Sequence, residues 1–185
     1  MSDVKLYNTE FVARAIFLPA MLDSNGNVSL AAFTLRHNEG YFSVARMAVP
    51  GWMEDIIRIP TTPNRQLGGY CKMGVGNIRN LRFFYGEKND VAFEVEDKSS
   101  ETNRSHAGII LMLSEKTLKG DKAEILKPLP TGVSATGLLL RVQTKLSQLA
   151  AKNYVTIGNV FDSGNNGVVS SSATVNIQTE DCRIE

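Results

Sequence analysis

Metal ligands and disulfide partners are scarce in this sequence. It has two cysteines, Cys71 and Cys182, and two histidines, His37 and His106. Neither histidine has a second histidine, a cysteine or a carboxylate at the short spacing typical of zinc sites, so we expect no metal. The two cysteines lie far apart in a chain that lacks the pattern of a secretion signal. Reduced thiols in a cytoplasmic protein are therefore predicted.

Long apolar segments and an excess of one charge are also absent. No apolar run approaches the roughly 18 residues that a membrane-spanning helix needs, so we expect no membrane contact. The 20 lysines and arginines almost balance the 19 aspartates and glutamates, which leaves a formal net charge of +1. This balance gives no general attraction to nucleic acid, although a local basic patch remains open. A hydrophobic fraction of 43% is ordinary for a globular protein, and we expect residues 1–185 to form one domain.

The clearest pattern that is present predicts an amphipathic helix over residues 133–152. On a helical wheel of about 100° per residue, its core-facing side chains fall within an arc of roughly 120°. They are Ala135, Leu138, Leu139, Val142, Leu146, Leu149 and Ala150. Ser134 is a suitable N-cap. Gly137 costs about 1 kcal/mol relative to alanine in a helix interior, which indicates either close approach by another backbone or a frayed first turn.

The remaining elements are mostly strands that follow one another along the chain. Alternating or continuous apolar patterns predict strands at residues 11–18, 28–36, 41–49, 70–75, 91–96, 106–113, 154–161 and 168–177. The strand at 11–18 is expected to be covered on both faces, and the strand at 106–113 to be central.

The connections complete the prediction of the fold. Residues 37–40 would join the second and third strands as a hairpin. A short helix is predicted over residues 50–59, followed by a polar loop at 61–69. Because strands mostly follow strands, the predicted fold class is α+β: a mainly antiparallel twisted β-sheet with one long amphipathic helix at about 133–152 and a short helix at about 50–59.

His106 is the candidate for acid–base chemistry. It stands where a polar loop enters the most apolar predicted strand. A histidine in such a place can act as a general base if a carboxylate orients it, and the nearest candidates are Asp97 and Glu101. The alternative is a histidine that hydrogen-bonds the loop backbone. The sequence favours this alternative, because no nucleophile is evident beside it.

A second candidate is a glycine-containing turn after a predicted strand. Gly74 and Gly76 precede Arg79, so backbone amides and a guanidinium could together hold a phosphate. The segment lacks the third glycine of the dinucleotide-binding fingerprint and the Gly-Lys-Ser/Thr of a P-loop. A turn or a bulge explains the two glycines equally well.

The outer side of the long helix is the candidate interface. Leu140 points away from the apolar arc, and polar side chains form a ridge along one flank. The ridge consists of Arg141, Lys145, Gln148 and Lys152. Long cationic side chains also lie on helix edges for solubility, so the pattern alone does not require a partner.

Three classes of function remain open. The first is a non-catalytic interaction or accessory module, a subunit of a larger bacterial cytosolic assembly that binds a protein partner or forms a homo-oligomer. The second is a small enzyme that acts on a nucleotide or phosphate-bearing substrate through His106 and Arg79. The third is a nucleic-acid-binding accessory protein, supported by arginines next to the aromatic run 83–85 but disfavoured by the absence of a net basic charge. No cofactor is predicted.

Overall fold

One antiparallel sheet organises the part of the chain that the computed structural model describes, which is residues 6–35, 39–85, 89–113, 116–117, 134–151 and 153–157. Its strands are β1 Phe11–Leu18, β2 Phe42–Arg46, β3 Gln66–Gly74, β4 Phe83–Tyr85, β5 Asn89–Asp97, β6 His106–Leu113, β7 Lys116–Thr117 and β8 Tyr154–Thr156. They lie in the order β4-β5-β6-β2-β1-β3-β8, and β7 pairs with β6. Every pairing is antiparallel, which confirms the predicted type of sheet.

The helices are α1 Trp52–Ile57, α2 Val75–Arg79 and α3 Ala135–Ala150, with a short 3-10 helix at Leu30–Phe33. The predicted long helix is observed, but it begins later than predicted, at Ala135, and ends earlier, at Ala150. Positions 133 and 152 lie outside the described residues. Ser134 caps α3 as predicted, because its hydroxyl accepts a hydrogen bond from the Gly137 amide at 3.4 Å. Within the described ranges, every helix is too short or too polar to span a bilayer.

The sheet has two apolar faces. On the α3 face, side chains of the strands pack with the fully buried Leu138, Val142 and Leu146 of α3. On the α1 face, small residues of β1 and β2 such as Ala13 and Ala45 pack under Ile56 of α1. Six consecutive residues of β1 are buried, since helices cover both faces of this strand as predicted.

The prediction of a strand at residues 28–36 is wrong. A single bridge pairs Val28 with Leu22, and the chain then turns into the 3-10 helix. Ala32 and Phe33 are consecutive and both pack into the core of the α3 face, whereas consecutive residues of a strand point to opposite faces. The hairpin predicted between 28–36 and 41–49 is also wrong, because the two neighbours of β2 in the sheet are β1 and β6.

Two smaller predictions also need correction, and a third falls mostly outside the described residues. The polar loop predicted at residues 61–69 ends earlier, because β3 begins at Gln66. The glycine-containing turn predicted after the strand at 70–75 is instead the start of α2, which begins directly at Val75. The hairpin predicted between residues 154–161 and 168–177 lies outside the described residues except for β8.

The group that approaches Gly137 closely is a side chain and not another backbone segment. A Cβ atom there would overlap the hydroxyl of Tyr85, at the end of β4. Alanine gains about 1 kcal/mol over glycine in a helix interior, but overpacking typically costs about 1–3 kcal/mol. We therefore expect the change in the free energy of unfolding caused by Gly137→Ala to be at least about 1 kcal/mol more favourable in a Tyr85→Phe background than in the wild type. Urea denaturation of the four proteins measures this coupling, and additive effects would show that the hydroxyl does not limit the site.

Candidate functional site

His106 begins β6 and projects from the α1 face. It lies directly opposite Ala45 of β2, and directly opposed residues in antiparallel strands share a face. Its Nε2 atom lies 3.4 Å from the hydroxyl oxygen of Ser43, and its ring centroid lies 5.7 Å from that of Tyr41. Burial lowers the pKa of His106 below its ordinary value, although Glu39 acts in the opposite direction. At neutral pH the imidazole is therefore uncharged and can accept a proton.

Ser43 carries a hydroxyl group beside His106, a neighbour that the sequence did not reveal. Its Oγ donates a hydrogen bond to Oε1 of Glu39 at 3.4 Å, so it lies between a carboxylate and an imidazole. Residue alternation alone places Ser43 on the face of β2 that also carries Ala45. The pairing of β2 with β6, which brings His106 beside it, is a long-range feature that local patterns do not contain.

The aromatic ring of Tyr41 forms one wall of this site. The ring packs on Gly108, where a Cβ atom would lie 2.6 Å from Cδ2 of the tyrosine. Nζ of Lys98 lies 5.8 Å from the Tyr41 ring centroid and 2.8 Å from Oε2 of Glu96. We call Glu39, Tyr41, Ser43, Lys98 and His106 together the Ser43 cluster. All five are partly exposed, so the group borders solvent.

The two carboxylates predicted as partners of His106 have other surroundings. Asp97 lies opposite Ala107 on the α3 face and forms an ion pair with Arg46 at 2.8 Å. Arg46 also binds Glu10 at 3.0 Å. Burial acts to raise the pKa of Asp97, but hydrogen bonds from Ser99 and the charge of Arg46 outweigh it, and the pKa is lowered. Glu101 lies exposed in the loop before β6.

Arg79 closes the edge of the sheet at β5. Its guanidinium forms an ion pair with Glu94 and donates to the Leu6 carbonyl oxygen at 2.8 Å. The Glu94 carboxylate in turn accepts from the Val95 amide at 2.8 Å. These contacts cover backbone groups of β5 that would otherwise be free to pair with another strand. The described contacts of Arg79 and His106 share no residue, so they do not converge on one ligand.

The backbone amides near Gly74 and Gly76 already donate hydrogen bonds within the protein. Gly74 and Gly76 flank the start of α2. The Val75 amide donates to the Glu10 carbonyl oxygen at 2.9 Å, and the Gly76 amide donates to that of Asn8 at 3.1 Å. The amides that would hold a phosphate are thus used to attach the segment before β1.

The outer face of α3 consists, as far as it is described, of Leu140, Arg141, Lys145 and Gln148. Leu140 is 53% exposed. The guanidinium carbon of Arg141 lies 5.7 Å from the ring centroid of Phe83, Lys145 is half-buried and Gln148 is exposed. Lys152, predicted as part of this ridge, lies outside the described residues. Arg141, Lys145 and Gln148 thus share one flank of α3, and Leu140 lies beside this flank, next to Thr144.

Cysteine and metal chemistry find no support in the described part of the chain. Cys71 is fully buried in β3, and burial raises the pKa of its thiol to about 12. A thiol in this state is a poor nucleophile at neutral pH. Among the described residues, no group of three or more histidines, cysteines or carboxylates is close enough to hold a metal ion.

Comparison of the chain with protein-family models, with curated proteins and with solved structures gives no significant match in any of the three. The described residues offer two candidate functional surfaces. They are the outer face of α3 and, on the other side of the sheet, the Ser43 cluster.

Proposed function

We propose that this protein acts as an interaction module that binds an acidic surface of a partner protein through the outer face of α3. The observation that supports this proposal is the 53% exposure of Leu140 in the middle of a capped, well-packed helix. An exposed leucine beside a ridge of long polar side chains is a suitable centre for a small contact, because these side chains can exclude water along one side of it.

The charge of α3 favours an acidic partner over a second copy of the chain. The helix contains Arg141 and Lys145 but no aspartate or glutamate. A two-fold dimer through this face would bring these cations toward their own copies, and like charges across an interface are unfavourable. Carboxylates of a different protein would complement them.

The outer face is also held in place before any partner arrives. The inner side chains Leu138, Val142 and Leu146 are fully buried, so the helix cannot rotate freely. Arg141 packs over the ring of Phe83, which limits the freedom of its side chain. A preordered surface loses little conformational entropy on binding, so a modest contact area can suffice.

A photo-crosslinking amino acid at position 140 tests the proposal in cells that express the protein. We expect ultraviolet light to join it to one protein whose crosslinked segment is acidic. Thr102 provides a matched position, because it is also exposed but lies in the loop before β6. The same crosslinker at 102 is expected to give no such adduct, since Ser105 attaches that loop to Asp55 of α1 and the loop has no described contact with α3.

Charge reversal then separates a specific contact from chance proximity. Arg141→Glu combined with Lys145→Glu should remove the adduct at position 140 while the free energy of unfolding falls by no more than about 1 kcal/mol, because the lost contact of Arg141 with Phe83 lies at the surface. Persistence of the adduct in the double variant would contradict the proposal. So would tight, strongly salt-dependent binding of a labelled oligonucleotide that the double variant loses, since the ligand would then be nucleic acid.

A further inference from the structure

We propose that Ser43 and His106 form a hydrolytic site for uncharged carboxylic esters, with Ser43 as the nucleophile and His106 as the general base. The site lies on the α1 face and uses none of the residues of the outer face of α3. It is therefore a second activity, independent of the interaction role proposed above.

The geometry places the two reacting groups side by side. Ser43 precedes Ala45 by two residues in β2, and Ala45 is opposite His106, so the two side chains are diagonal neighbours on one face. The 3.4 Å between Oγ and Nε2 is longer than an optimal hydrogen bond. Catalytic hydrogen bonds of unliganded sites are often long and shorten when substrate binds. The Tyr41 ring holds one side of the imidazole, which restricts its rotation.

The reaction follows the usual balance of acyl transfer. The hydroxyl of Ser43 first turns its proton from Glu39 toward Nε2 of His106. Oγ then attacks the carbonyl carbon of the ester while this proton passes to Nε2. The bond to the alcohol breaks, and the alcohol leaves with the proton from His106. Water then attacks the acyl carbon, gives one proton to His106 and releases the carboxylic acid. That proton returns to Oγ, so the enzyme is regenerated without any other reactant.

The charges around the site select the class of substrate. Glu39 binds Ser43 directly, while Glu96 and Asp97 are each paired with a cation, Lys98 and Arg46 respectively. The Glu39 carboxylate lies 3.4 Å from the attacking Oγ, and its local repulsion disfavours phosphate esters and other anions at this atom. An uncharged ester avoids this repulsion. The ring of Tyr41 offers an apolar surface for its acyl or alcohol group.

Labelling with a fluorophosphonate tests the nucleophile. Ser43 would attack phosphorus and expel fluoride, and the serine proton would leave by way of His106. We expect a mass increase on the full-length protein that peptide mapping assigns to Ser43, and hydrolysis of p-nitrophenyl acetate that the label abolishes. Ser100→Ala is the matched control, because Ser100 lies in the exposed loop before β6. This variant should be labelled and active like the wild type, whereas Ser43→Ala should be neither.

The base is tested by His106→Gln, which keeps the size of the side chain. We expect ester hydrolysis to fall about 10²–10⁴-fold with an unchanged circular dichroism spectrum. In the wild type, the rate should rise with pH as the imidazole loses its proton and become constant above an apparent pKa lower than 6.5. Glu39, Asp97 and Lys98 are the charged groups that act on this titration. An absence of label on Ser43 in folded wild-type protein, or full activity in His106→Gln, would overturn the proposal.

Discussion

Replacing Phe33 with alanine is expected to lower the free energy of unfolding by about 3–5 kcal/mol. Phe33 ends the 3-10 helix and has no exposed surface. Its ring meets that of Phe42 edge to face, with the centroids 6.2 Å apart, and the 3-10 helix packs against α3. Truncation would leave a cavity between the sheet and both helical elements, which this close packing cannot readily fill.

Leu30 provides the control for this prediction, because it opens the same 3-10 helix and is 39% exposed. Leu30→Ala should cost less than about 1 kcal/mol, since a partly exposed leucine loses few contacts. Urea denaturation followed by far-ultraviolet circular dichroism measures both changes. Equal costs for the two variants would contradict the structure, because they would mean that Phe33 is not in the core.

Local patterns predict α3 and β1 well because their environments are simple. The helix has one buried side, so its apolar residues repeat with the helical period and are visible in the sequence. Strand β1 is buried on both faces, so it is a nearly continuous apolar run. In both elements the tertiary structure adds to the local preference instead of opposing it.

The strand predicted at residues 28–36 is wrong because there the tertiary structure opposes the local preference. Its residues alternate well enough for a strand, but the positions on either side of β2 belong to β1 and β6. The buried pair Ala32 and Phe33 then enters the α3 face as a helical turn. Which strand takes a position beside β2 depends on the whole sheet, and a short window of sequence does not contain that choice.

The candidate sites also differ in how far the sequence could predict them. The exposure of Leu140 follows from the period of one helix and could be predicted. The environment of His106 could not be, because its contact with Ser43 depends on the register between two strands that are 63 residues apart at this contact. Arg79 and the glycines beside it were predicted together from their nearness in sequence. In the structure they bind Glu94, Asn8 and the segment before β1.

Replacing Gly69 with alanine is expected to detach β8 from the sheet and to cost about 2–3 kcal/mol. Gly69 lies opposite Thr156, and a Cβ atom on it would overlap the carbonyl oxygen of Val155. A backbone oxygen within a strand cannot rotate away as a side chain can. The strand must therefore move as a unit, and the hydrogen bond from the Ile157 amide to the Gly68 carbonyl oxygen, now 3.2 Å, should break.

Amide hydrogen exchange distinguishes this local change from general loss of stability. In Gly69→Ala the amides of Ile157 and Lys72 should lose protection, because both donate across the β3–β8 contact. Gly74→Ala is the matched control in the same strand, since the nearest atom to its Cβ would be Nδ2 of Asn77 at an ordinary 3.4 Å. We expect this variant to unfold within about 0.5 kcal/mol of the wild type. Retained protection at Ile157 in Gly69→Ala, or equal costs for the two alanines, would show that β8 does not need glycine at position 69.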